Sequence, residues 1–128
     1  MPFSSPNIKG SSKSILIVDD DEIIREVLSH GFARYGFTVF KAENATDAWI
    51  LFNSEHIDYV VTDIWMPGLN GMDLSRRIKK QSPFTKIALM TGGKTEGVKE
   101  LIEDGTVDHF FWKPFDIQNI CKIFNAET

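Results

Sequence analysis

Val60-Val61-Thr62-Asp63-Ile64-Trp65-Met66-Pro67-Gly68 carries a short apolar strand to one carboxylate and then breaks off. Residues 59–61 have the aromatic and β-branched character of a buried strand. Asp63 stands where that strand should end, and Pro67-Gly68 continues neither a strand nor a helix readily. Taken alone, an acid ahead of a Pro-Gly loop reads as a turn residue, because an Asp side chain hydrogen-bonds nearby backbone amides. The rest of the chain alters that balance.

On the N-terminal side, residues 14–18 (Ser-Ile-Leu-Ile-Val) form a continuous apolar run, the pattern of a strand covered on both faces. It stops at Asp19-Asp20-Asp21-Glu22. A helix is predicted over residues 21–35, with Ile24, Val27, Leu28, Phe32 and Tyr35 inward and Arg25, Glu26 and Ser29 on the other face. Gly36 ends it. Residues 37–41 read as a second strand. Asn44 is a candidate N-cap, with Asp47 in the first helical turn, and Ala45, Ala48, Trp49 and Phe52 make the inner stripe of the second helix. The third strand covers residues 58–62.

Beyond Gly68, a helix starts at Asn70 or Asp73, with Leu74 and Ile78 inward and Arg76, Lys79 and Lys80 outward. Pro83 closes the connection. Residues 86–90 form a fourth strand ending at Thr91-Gly92-Gly93. A shorter helix uses Val98, Leu101 and Ile102, and Gly105 stops it. Residues 108–112 form a fifth strand, broken by Lys113-Pro114. A last helix uses Ile117, Ile120, Cys121 and Phe124. Strands alternating with helices imply an α/β fold, with a parallel sheet covered on both faces. In such a sheet the site lies at the carboxyl ends of the strands.

Composition fits one globular domain: 128 residues, 42% hydrophobic and 25% charged. Residues 1–12, rich in Ser and Pro, read as a flexible leader, and residues 13–128 as the domain. A net charge of −4 argues against a general nucleic-acid footprint, and the cluster Arg76-Arg77 with Lys79-Lys80 reads as a solvated helix face. No apolar run is long enough to span a bilayer, and none resembles a signal peptide. The single Cys121 forms no internal disulfide and fits a reducing compartment, so the expected location is cytoplasmic. His30, His56 and His109 lack metal-ligand spacing and read as surface or satisfied residues.

The strand ends carry the chemistry. They deliver Asp19 and Asp20, then Asp63, then Thr91, then Lys113. Each has a bland reading: the acidic run caps a helix, Thr91 caps a turn, and Lys113-Pro114 is a strand exit. Together they are more specific. Clustered carboxylates repel one another unless a cation sits among them. Oxygen-only ligands call for a hard cation, Mg²⁺ with Mn²⁺ as a substitute. Lys113 and the Thr91 hydroxyl suit phosphoryl oxygens. One carboxylate is left to attack phosphorus, and Asp63, alone on its strand end, is the candidate nucleophile.

In these residues the chain resembles the receiver domain of two-component response regulators. The matching segments are Ile15-Leu16-Ile17-Val18-Asp19-Asp20-Asp21, Asp63-Ile64-Trp65-Met66-Pro67-Gly68 with Gly71 beyond, Met90-Thr91 and Lys113-Pro114-Phe115. The resemblance implies a (βα)5 flavodoxin-like three-layer sandwich with strand order 2-1-3-4-5. It implies Asp63 as phospho-acceptor from the phosphohistidine of a sensor histidine kinase or phosphotransfer protein. It implies Asp20, Asp63 and the Trp65 backbone carbonyl as Mg²⁺ ligands with Asp19 acting mainly through water, Lys113 as the phosphoryl's partner with a cis bond to Pro114, and Thr91 and Phe110 as the switch. The responding face is helix four, strand five and helix five, which is also a candidate homodimer surface. Neither nucleic-acid nor membrane binding by this domain is implied, and no catalysis beyond its own phosphorylation and slow dephosphorylation.

Some positions depart from the common pattern. Gly92-Gly93 replaces a small residue such as Ala after the threonine, Phe110 lacks a hydroxyl, and Trp65 is bulky. Gly105 comes early, so a short fourth helix is expected. Trp65 is expected to shield the phosphoryl group from water. Two other functions compete: a phosphate-independent interaction module on this fold, and a phosphohydrolase using an aspartyl phosphate. The second normally needs another Asp where this chain has Trp65.

Overall fold

The computed structural model describes residues 13–113 and 116–126. The leader, Pro114 with its expected cis bond, and Phe115 lie outside the described residues. Five strands alternate with five helices: β1 (Ser14–Val18), α1 (Glu22–Arg34), β2 (Thr38–Ala42), α2 (Ala45–Ser54), β3 (Tyr59–Asp63), α3 (Gly71–Gln81), β4 (Lys86–Thr91), α4 (Val98–Glu103), β5 (His109–Trp112) and α5 (Ile117–Ala126). The sheet order is β2-β1-β3-β4-β5 and every pairing is parallel. The three-layer sandwich and its strand order are as expected.

Side-chain alternation builds the layers. Ile15 and Ile17 of β1 point to one face, with Leu28 and Phe32 of α1 and Ile120, Cys121 and Phe124 of α5. Leu16 and Val18 point to the other, with Ala45, Ala48 and Phe52 of α2, Leu74 and Ile78 of α3, and Val98 and Leu101 of α4. Successive strand residues face opposite sides, so an unbroken apolar run serves two cores at once.

The helix starts follow their caps. The Asp21 carboxylate accepts the amides of Ile23 and Ile24 at 2.9 and 3.3 Å. Asn44 accepts from Asp47 at 2.7 Å, and Asn70 from Asp73 at 2.9 Å. Asn70 is therefore the cap of α3, and Asp73 lies inside its first turn.

Some expectations need correction. In α1 the buried row is Leu28 and Phe32 with Ile24 beside it, whereas Val27 is 58% exposed and Tyr35 46%. Val27 sits one residue off the row that meets the sheet, and Tyr35 lies past the last helical turn as the C-cap. Ser29, expected outside, is buried and donates to the Arg25 carbonyl at 2.6 Å. Lys79 is not outward: its ammonium lies 2.8 Å from both the Thr85 carbonyl and the Asp108 carboxylate, pinning the entry to β5. Arg77 covers the Trp49 ring, so the basic cluster is not one solvated face. Ile102 is 43% exposed, because the six-residue α4 turns only Val98 and Leu101 inward. Strand β2 begins at Thr38; Phe37 instead packs edge-on against Phe32 and Tyr59.

Cys121 is buried among apolar neighbours, and burial pushes its thiol up to about 11. His109 lies against Phe111 and Phe124, while the side chains of His30 and His56 are 81% and 86% exposed. Among the described residues, no helix is long and apolar enough to cross a membrane.

Gly71 fixes how closely α3 approaches β3. Its amide donates to the Ile64 carbonyl at 2.8 Å, and a Cβ there would collide with the Asp63 carbonyl oxygen. A side chain at this point would push the end of β3 away from α3. Gly71→Ala should therefore cost about 2 kcal/mol or more in urea unfolding, whereas Gly93→Ala, in open space, should stay within about 0.5 kcal/mol of the parent.

Candidate functional site

Parallel strands end together, so the residues that follow β1, β3, β4 and β5 share one rim. Asp19 comes first after β1, and its amide donates to the Ala42 carbonyl at 3.2 Å. Its side chain is fully buried. One carboxylate oxygen accepts the Asp21 amide at 2.9 Å, and the other takes the Lys113 ammonium at 2.7 Å. Asp20 is exposed beside it. The Asp19–Glu22 run thus divides by role: Asp21 is the helix cap, while Asp19 and Asp20 turn to the rim.

Asp63 is the last residue of β3 and is 8% exposed. The backbone on either side is held. Ile64 donates to the Met90 carbonyl at 3.0 Å, and the Thr62 hydroxyl donates to the Asp63 carbonyl at 3.0 Å. Lys113, just past β5, is tied by its amide to the Thr91 carbonyl at 2.9 Å, and its ammonium lies 3.5 Å from Asp63. Asp19, Asp20 and Asp63 each bring an oxygen within 4.8 Å of the others. The structure therefore gathers Asp19, Asp20, Asp63 and Lys113, four of the five residues that the resemblance implies as ligands and phosphoryl partner.

The electrostatics follow from this crowding. Burial pushes the Asp63 carboxyl up to about 6; Lys113 opposes the shift, and the charges of Asp19 and Asp20 add to it. Burial works against the Lys113 ammonium, but Asp19 and Asp63 outweigh it and raise its pKa. Three carboxylates against one ammonium leave excess negative charge in a pocket of oxygen donors. That donor set fits a hard divalent cation.

Thr91 ends β4, is 2% exposed, and its hydroxyl accepts the Gly93 amide at 3.1 Å. Phe110 is half-buried against the α2–α4 core and meets Trp112 edge-on at 5.2 Å. The Trp65 indole N–H donates to the Lys94 carbonyl at 2.8 Å, tying the loop after β3 to the loop after β4.

Arg25 is the residue that sequence reading missed. Helical periodicity set it on the outer face, yet its side chain is only 15% exposed. The guanidinium donates to the Asp19 backbone carbonyl at 2.7 Å and lies 3.9 Å from Glu43. A main-chain acceptor leaves no mark in a sequence, so no signal there could have found it.

Comparison with known proteins agrees with this geometry. The chain is 34% identical to the sporulation initiation phosphotransferase F of Bacillus subtilis, over 85% of this chain and 88% of that protein. It is also 34% identical to the DNA-binding transcriptional regulator NtrC of Azospirillum brasilense, over 88% of this chain but only 24% of that protein. Two further relatives are likewise longer, and the chain spans 28% and 12% of them. Among solved structures, a response regulator receiver domain from Clostridium thermocellum superposes with a TM-score of 0.81 at 28% identity, over 89% of this chain and 92% of that one. The family model of the response regulator receiver domain matches residues 15–125, from the first strand into the last helix. On that match, and on a relative of similar length, the chain belongs to the response regulator receiver domain family.

Proposed function

We propose that Asp63 is the phospho-acceptor of a signalling domain, charged by the phosphohistidine of a sensor histidine kinase or phosphotransfer protein. The observation that supports this best is the Lys113 ammonium lying between Asp19 and Asp63, beside the exposed Asp20. An Asp63 oxygen attacks phosphorus while the phosphorus–nitrogen bond breaks and the imidazole leaves. With a pKa of about 6, Asp63 is mostly ionised at neutral pH and able to act as a nucleophile.

Asp19, Asp20, Asp63 and the Trp65 backbone carbonyl would hold Mg²⁺, or Mn²⁺ in its place. The ion supplies charge neutralisation between the carboxylates and the phosphoryl oxygens. Lys113 gives up part of its contact with the carboxylates to pair with a phosphoryl oxygen. Thr91 gives up the Gly93 amide and turns its hydroxyl to another.

The consequence is carried outward by position. Thr91 pairs with Trp112 across the β4–β5 ladder, and Phe110 packs two residues earlier on β5. Movement of Thr91 therefore reaches the α4–β5–α5 face, where Ile102 and Trp112 are exposed by 43% and 57%. That face is the proposed contact for a downstream partner or a second copy of the chain. Phe110 does this without a hydroxyl, so its ring position alone is read. The domain catalyses only its own phosphorylation and slow dephosphorylation, and works in the cytoplasm without binding nucleic acid or membrane itself.

Incubation with Mg²⁺ and a small phosphodonor should add one phosphoryl group per chain by mass, and beryllofluoride should change tryptophan fluorescence. Both responses should vanish in Asp63→Asn. Trp65→Ala should shed phosphate several-fold faster than the parent if the indole screens Asp63 from water; equal half-lives would dismiss that role.

The raised pKa of Asp63 sets a pH dependence in metal-free protein. Between about 4 and 6 the folded state holds a proton that the unfolded chain has released, so stability falls as pH rises through this window. Urea unfolding should find Asp63→Asn close to the parent at pH 4 but about 1–3 kcal/mol more stable at pH 7. Added Mg²⁺ should close the gap.

A further inference from the structure

We infer that Arg25 is a positioning residue that presets Asp20 for the divalent cation. The inference rests on reading the carboxylate rim as a cation site. Asp19 is oriented on both sides, by the Asp21 amide and by Lys113. Asp63 is fixed by the strand that ends in it. The exposed Asp20 carboxylate forms no hydrogen bond or ion pair among the described residues, so its placement must come from its backbone.

That backbone is held on both sides of Asp20. The Asp19 carbonyl and the Asp20 amide belong to the same planar peptide unit. Arg25 holds this carbonyl at 2.7 Å with a side chain only 15% exposed. Arg25 thereby restrains the peptide plane before Asp20, while the Asp21 amide bonded to the Asp19 carboxylate restrains the one after it, and together they limit the direction in which the Asp20 side chain leaves the chain. Arg25 is itself anchored, because it lies in the first turns of α1 and its amide donates to the Asp21 carbonyl at 3.0 Å. The second arm of the guanidinium lies 3.9 Å from Glu43, just past β2, so the ends of β1 and β2 are tied by one side chain. A guanidinium can reach both with separate nitrogens, whereas an ammonium is one point.

Charge and position predict opposite outcomes. As a nearby positive charge, Arg25 repels a divalent cation, so its removal would tighten binding. As a clamp on the Asp19–Asp20 peptide, its removal would weaken binding.

The test is calorimetric titration of the whole chain with Mg²⁺, without phosphodonor, for the parent, Arg25→Gln and Arg25→Lys, with Asp20→Asn as a reference. Positions that orient metal ligands typically matter by tenfold or more, so Arg25→Gln should bind Mg²⁺ about tenfold more weakly. Arg25→Lys should fall between the two. At saturating Mg²⁺ the phosphorylation rate of Arg25→Gln should recover to within about twofold of the parent, since that deficit lies in binding. Urea unfolding establishes that the variant is folded; if Arg25→Gln is not, Arg25→Lys carries the test, with weakening of about threefold expected. Unchanged or tighter binding in the folded variants would overturn the role of Arg25 and leave the cation site standing. No Mg²⁺ binding by the parent would overturn both.

Discussion

The Lys113 ammonium stands 2.7 Å from Asp19 and 3.5 Å from Asp63, and the rim of the sheet depends on it. Three acids that share a rim repel one another, and burial makes the Asp63 charge harder to keep. Without that one cation, the ends of β1 and β3 would carry buried like charges with nothing between them. Lys113 relieves part of the repulsion, enough to keep Asp19 buried. Burial, with the charges of Asp19 and Asp20 adding to it, still raises the Asp63 carboxyl to about 6. The remainder is useful, because a site left too negative favours a divalent cation and the chemistry that follows from it.

The fold makes this arrangement attainable. A parallel sheet brings all its strand ends to one edge, so residues from positions 19, 63, 91 and 113 meet without long loops. The cost falls on the backbone next to the site. Gly71 is where α3 presses on the last residue of β3, and its missing side chain permits that approach. The loops above are tied to each other by Trp65 and Lys94, and the Thr91 hydroxyl is held by the Gly93 amide. These bonds are few and reversible, which suits the rearrangement proposed for this site when a phosphoryl group arrives.

Much of the fold was legible because it rests on periodicity and on side chains that act locally. Residues 15–18 are apolar at every position, and a short run rich in β-branched residues fits a strand buried on both faces. Asp21, Asn44 and Asn70 cap their helices with their own oxygens; the sequence named Asn44 outright, while the choice between Asn70 and Asp73 was left to the structure. The acids, the threonine and the lysine were legible because each stands directly after an apolar strand. The α1 stripe was less so: five apolar residues fit helical spacing, but the surface of α1 facing the sheet is narrower than that set, and Val27 and Tyr35 fall outside it.

The sequence by itself determined the order of strands and helices, the carboxyl-edge cluster and the family resemblance, because these follow from local pattern and spacing. Only the tertiary structure decided how the charges pair. Lys113 contacts Asp19 more closely than Asp63, Lys79 turns inward to Asp108, and Arg25 grips a backbone carbonyl. A long cationic side chain can reach many acceptors, and its partner is settled by which carboxylate or carbonyl the packed elements bring near it. For Arg25 the acceptor is main chain, which every residue carries and no sequence distinguishes.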